Sequence, residues 1–119
     1  MEWIFLAILV VSIIHVIEEY FGGFVDQMKR FVPDLDLANF ASVNMTFIML
    51  SFIAVIVGSA SLVYSLSIAA LLFINALFHI GGAVRLRGYS AGLISAIALY
   101  IPVSIYAYYY YWNIGALTQ

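Results

Sequence analysis

The stretch SIIHVIEEYFGG, Ser12 to Gly23, ends an otherwise oily run with one histidine and two adjacent glutamates. Upstream of it, Trp3 to Val11 carries no charge at all. A helix at the surface of a soluble domain keeps one polar face, whereas here apolar side chains occupy every face until Ser12. The run therefore reads as a helix in lipid, and its ionisable end sets the functional question.

Composition agrees. Of the 119 residues, 66% are apolar and 8% charged, and mean hydropathy is +1.13; a soluble domain is about a quarter charged. Such a chain, one domain at most, cannot clothe itself in polar surface. A net charge of −2 and the lack of a basic cluster argue against nucleic acid as a partner. The absence of cysteine excludes disulfides and thiolate metal sites. The N-terminal run has neither a basic leader region nor a small-residue cleavage site, so it is expected to be a retained helix.

A bilayer core of about 30 Å takes roughly 20 helical residues. Four segments qualify, at approximately residues 3–21, 41–58, 62–84 and 89–112. The predicted fold is an all-α membrane protein, a four-transmembrane-helix bundle over residues 1–119. The GSAS link, Gly58 to Ser61, makes spans two and three an antiparallel pair, and Pro102 should kink span four. The first link holds two glycines and Pro33 and has room for only a short interfacial helical turn. All four basic residues lie in the first and third links, as Lys29, Arg30, Arg85 and Arg87. The positive-inside rule places those links in the cytoplasm and both termini on the extracytoplasmic side. Trp3, Tyr64 and the run YAYYYYW, Tyr106 to Trp112, then fall at the outer interface as an aromatic belt.

Helical spacing gathers the polar residues. Glu18 and Glu19 follow His15 by three and four positions and share a face with it. In span three, NALFH puts Asn75 and His79 on one stripe. Both groups lie toward the inner end of their spans, with Asn44 and Tyr89 entering at the same side, whereas the outer half is nearly dry. The competing interpretation makes Glu18 and Glu19 interface markers, with Asn75 and His79 as interhelical glue worth about 1 kcal/mol or less. A carboxylate at the bilayer centre costs roughly 2.5–3.5 kcal/mol on insertion scales, which favours a task for it.

Three chemistries fit. His15, His79 and one of Glu18 and Glu19 form a His₂Glu set for a divalent metal, most naturally zinc, with a position left for water; the other glutamate would then serve as base. Metal-free acid–base catalysis on a lipid would use the same side chains, with Asn75 polarising the substrate. A proton-coupled transporter, working as a dimer, would exchange a proton at a buried glutamate. A non-catalytic scaffold is the fourth reading. Arg85 and Arg87, at headgroup level, could contact a lipid phosphate or simply set topology; with Asn44 and Tyr89 they complete the candidate substrate contacts. Gly22–Gly23 and Gly81–Gly82 suit helix ends and close packing.

Three motifs carry a resemblance: HVIEE with His15, Glu18 and Glu19, then NALFH, then the RGYSAG turn from Arg87 to Gly92. Together, in this order, the chain resembles the HXXEE family of small, mostly bacterial integral membrane proteins without an established activity. The resemblance implies a multi-pass protein of the bacterial inner membrane and points to His15, Glu18, Glu19, Asn75 and His79. Family members often have proline where this chain has Ala91, which implies a less sharply fixed start to span four here. The paired glutamates opposite His and Asn are also similar to the pattern of CAAX-processing membrane proteases, although Gly23 stands where those carry arginine. The expectation is a membrane-embedded site acting on a lipid or lipid-like substrate, with a homodimer as one permitted assembly.

Overall fold

The computed structural model describes residues 2–118. Among them the chain is helical, with no strand. Helix α1 spans Trp3–Phe21, as expected from its hydropathy. After Gly23, whose φ of +78° turns the chain, a short α2 covers Phe24–Met28. Helix α3, Leu37–Val57, starts earlier than hydropathy suggested because Asp36 caps it, accepting the Asn39 N–H at 2.7 Å. Helix α4 covers Leu62–Leu86. The last helix, α5, covers Leu93–Asn113. It begins later than expected, since Tyr89 to Gly92 form a loop.

Three helical segments, Trp3–Phe21, Leu37–Leu86 and Leu93–Asn113, are long and apolar enough to cross a membrane. The middle one is 50 residues long and would measure about 75 Å if straight. The longest dimension of the whole fold is 46 Å. The segment doubles back at Gly58, with φ +48° and ψ −133°, followed by a tight turn to Ser61. Across that turn the Tyr64 hydroxyl donates to the Leu50 carbonyl at 2.7 Å. The distortion expected from Pro102 takes the form of a π turn over Ala96–Tyr100, because Pro102 has no N–H for the Ala98 carbonyl and its ring crowds that oxygen.

The core holds large side chains such as Phe5, Ile8, Leu72 and Tyr100 but is also rich in small ones, and many large apolar side chains point outward. Buried positions include Ser12, Ser51, Ala54, Ser65, Ala69, Ala76, Ala96, Ser104 and Ala107, while Ile17, Phe52, Ile56, Ile74, Phe78 and Ile105 are exposed. Small side chains let the helix backbones approach closely. Several buried hydroxyls are satisfied within their own helix; Ser12, for example, donates to the Ile8 carbonyl at 2.7 Å and Ser51 to the Phe47 carbonyl at 3.0 Å. An outward apolar surface of this kind suits a lipid surrounding.

The two ends differ. At the end bearing the termini, the Glu2 carboxylate accepts the Ser59 N–H at 3.1 Å and the Tyr111 hydroxyl, tying α1 to the α3–α4 turn and to α5. Burial pushes the Glu2 carboxyl up, but the hydrogen bonds from Ser59 and Tyr111 outweigh it and hold it below the usual carboxylate range. That end is thus less dry than expected, and Tyr111 is core rather than belt, only 3% exposed. Tyr106, Tyr109 and Trp112 do point outward. At the opposite end both basic links meet, with the Arg85 guanidinium 4.3 Å above the Phe31 ring.

Candidate metal centre

One stripe of α1, Ile8–Ser12–His15–Glu19, is buried along its length. Its spacing of four, three and four residues follows the helical repeat. A stripe on α4, Ser65–Ala69–Leu72–Ala76–His79, is buried in the same way. Both stripes turn toward the bundle interior, and their last members meet there. His15 Nε2 lies 3.1 Å from His79 Nε2 and 3.2 Å from Glu19 Oε1, and His79 Nε2 lies 3.0 Å from the same oxygen. The three residues are 1–3% exposed. Tyr100 packs on the His15 ring with centroids 4.3 Å apart, and Phe24 flanks His79 at 5.7 Å.

This triangle bears on metal binding directly. Ligands about 2.1 Å from a zinc-like ion stand roughly 3.0–3.4 Å apart in octahedral or tetrahedral arrangements. The observed edges fall in that interval without rearrangement. Three lone-pair atoms this close also repel unless a cation or proton sits among them. His15, Glu19 and His79 can therefore hold a metal ion. Three further buried atoms have no protein partner: Glu19 Oε2, His79 Nδ1 and Asn75 Oδ1. Buried polar atoms are nearly always paired, so Glu19 Oε2 and His79 Nδ1 leave the triangle with unused hydrogen-bonding capacity. Glu19 also borders a cavity of about 460 Å³ whose walls include Asp26, Lys29 and Asp36.

The second glutamate points elsewhere. Glu18, expected either to ligate the metal or to serve as the base beside Glu19, uses its carboxylate on the start of α5. It accepts the Tyr89 hydroxyl at 2.8 Å, the Ile94 N–H at 3.0 Å, the Ser95 N–H at 2.8 Å and the Ser95 hydroxyl at 2.5 Å. Ile94 and Ser95 lie in the first turn of α5, whose N-cap is Gly92. Glycine has no side chain to cap with, so a carboxylate from another helix does it. Four donors on two oxygens commit the Glu18 carboxylate to holding the start of α5.

Gly92 explains that division of labour. Its φ is +92°, and a Cβ there would stand 2.7 Å from His79 Cε1, 2.8 Å from His15 Cε1 and 2.9 Å from Glu19 Cγ. The loop backbone thus roofs the triangle, and no side chain fits. Gln27 on α2 clamps this roof, donating to the Tyr89 carbonyl at 3.1 Å and accepting the Ala91 N–H at 2.7 Å. The start of α5 is accordingly well fixed with alanine at position 91, and the bond from its N–H is one that proline could not make. Gly82 receives Ser90, and Gly22 packs against Ala91.

The other candidate residues are more dispersed. Asn75 shares the face of His79 but makes no hydrogen bond to the triangle through its buried Oδ1. Asn44 donates to the Phe40 carbonyl of its own helix at 3.1 Å. Arg85 and Arg87 are exposed at the end of α4, and Arg87 caps it in a left-handed conformation, φ +56°. The Tyr89 hydroxyl donates to Glu18, and its carbonyl accepts from Gln27. Ser95, Gly92, Gln27 and Tyr100 were not singled out by the sequence. Of these, only Gly92 had a signal, as the last residue of the RGYSAG turn.

No curated protein and no solved structure matches the chain. The pattern of a family described as "Protein of unknown function with HXXEE motif" matches residues 3–107, which take in the triangle, its roof and the Glu18 cap, and the chain therefore belongs to the HXXEE family.

Proposed function

We propose that the protein is a metal-dependent enzyme of the bacterial inner membrane, acting on a lipid-like substrate by hydrolysis. In this reading the Leu37–Leu86 segment crosses twice, giving four spans, and both termini lie outside, as the basic links at the opposite end favour. The site then lies near the cytoplasmic leaflet. His15, His79 and Glu19 hold the ion, and zinc is the metal this N₂O donor set suits best. A metal there would bring a bound water close to neutral pKa and polarise an ester or phosphoester oxygen. Glu19 Oε2, without a protein partner, is the chain's nearest proton acceptor. Glu18 holds the fold of the site, and Asn75 is a polar group available to a substrate. The cavity beside Glu19 offers a route from the cytoplasmic side.

The observation carrying this reading is the convergence of three buried ligand atoms within 3.2 Å. Elemental analysis of detergent-purified protein tests it. One metal ion per chain is expected, lost in His15→Ala, His79→Ala and Glu19→Gln but retained in Arg85→Ala. A metal-free wild-type protein after metal-replete expression overturns it.

Proton-coupled transport by a dimer is the second reading. The run of close polar contacts from Glu18 through Ser95 to His15 and on to Glu19 favours it. It predicts proton-driven flux in proteoliposomes that Glu19→Gln abolishes.

A further inference from the structure

We infer that Ser95 is a positioning residue of the metal centre: its hydroxyl, held by Glu18, fixes His15 as the Nδ1–H tautomer and leaves the Nε2 lone pair facing His79 and Glu19. The inference rests on the metal reading above for its purpose, but its geometry stands independently.

Counting protons decides the tautomer. A serine hydroxyl has one hydrogen to give. Its possible acceptors here are Glu18 Oε2 at 2.5 Å, His15 Nδ1 at 2.7 Å and the Gly92 carbonyl at 3.3 Å. The nearest acceptor, which is also the charged one, takes it, since hydrogen bonds to carboxylates are the shorter and stronger kind. Toward His15 Nδ1, 2.7 Å away, the Ser95 oxygen then presents only lone pairs. The ring must supply the proton at that contact. A neutral imidazole carries a single N–H, so Nε2 is left bare, as a metal ligand requires. Ser95 is 4% exposed and His15 2% exposed, leaving little room for solvent to take over the contact.

His79 differs. Its Nδ1 is buried with no protein partner, so nothing on that side dictates its tautomer. The two imidazoles are thus inequivalent, with His15 set in advance by the fold. The setting depends on the seating of α5, because the Glu18 carboxylate that orients Ser95 also binds the Ile94 and Ser95 amides. A single carboxylate couples helix docking to the readiness of a ligand.

The test combines two measurements on detergent-purified, metal-free protein. Side-chain ¹⁵N shifts at pH 8, with His15 assigned by difference against His79→Gln, read the tautomer. Competition titration with Co²⁺ reads affinity. In wild type, His15 is expected as Nδ1–H. Ser95→Ala should give a tautomer mixture and weaken Co²⁺ binding roughly 10–100-fold, while Ser95→Thr, which restores a hydroxyl, should stay within about threefold of wild type. Wild-type His15 found as Nε2–H or doubly protonated overturns the inference, as does Ser95→Ala binding Co²⁺ as tightly as wild type. If wild type holds no Co²⁺, the metal reading fails, and the ¹⁵N shifts alone decide the role of Ser95.

Discussion

Gly92 lies against His79 so closely that a methyl group on it would come within 2.7 Å of the ring. Contact and conformation act together there, because a residue at φ +92° has no comfortable L side chain. Gly92→Ala is therefore expected to displace the roof from all three candidate ligands. Metal stoichiometry should fall well below one per chain, with thermal stability lowered by about 2 kcal/mol or more from strain and overlap. Equilibrium metal analysis alongside a melting curve in detergent checks both parts.

The roof is held by Gln27, and a more selective lesion follows from that. Gln27→Ala removes both bonds to the loop, each worth about 1 kcal/mol. Hydrogen exchange at the Ala91 amide should accelerate by an order of magnitude or more, while α1 and α4 amides keep their protection. Unchanged exchange at Ala91 would show that the clamp is incidental. Ala91→Pro should loosen the loop similarly, since it removes the same N–H.

At the other end, Glu2 makes the fold acid-sensitive. Its carboxyl lies below its ordinary value of 4.5 when folded. A depressed folded pKa contributes stability that is present above the unfolded value and lost as pH falls through the folded one. The melting temperature should thus decline as pH drops below about 4.5, and Glu2→Gln should remove part of that decline. Parallel melting curves of the two proteins between pH 3 and 7 measure the difference.

Arg87 offers the opposite sign. As the α4 cap it holds φ +56°, a conformation costly for most side chains. Arg87→Gly or Arg87→Asn should stabilise the protein by about 0.5–1 kcal/mol, read from unfolding in mixed micelles. A loss of stability would mean that the guanidinium makes up for the backbone.

Much of this was legible in the sequence, for definable reasons. Hydropathy alone delimits α1, and helical spacing together with equal depth brings His15 toward His79. Adjacent glutamates are harder to tell apart. They stand about 100° apart on the helix, so the assignment of Glu19 to the triangle and Glu18 to the α5 cap depends on how α1 is rotated in the fold. Ser95 sits in an ordinary apolar stretch and gains its importance only from where α5 begins. The early start of α3 was readable from Asp36 as a cap, a signal that hydropathy ignores. The fate of Tyr111 was not, because a run of tyrosines gives no indication which ring will find a carboxylate.

The Glu18 bond to the first turn of α5 also orders events during synthesis. All three candidate ligands have left the ribosome once residue 79 has emerged, yet the glycine roof and the serine that sets His15 come only with the final segment. On the metal reading, acquisition of the ion would be a late step of biogenesis, after α5 has docked. A nascent chain arrested at residue 86 is expected to retain no ion in a pull-down, whereas the finished polypeptide does.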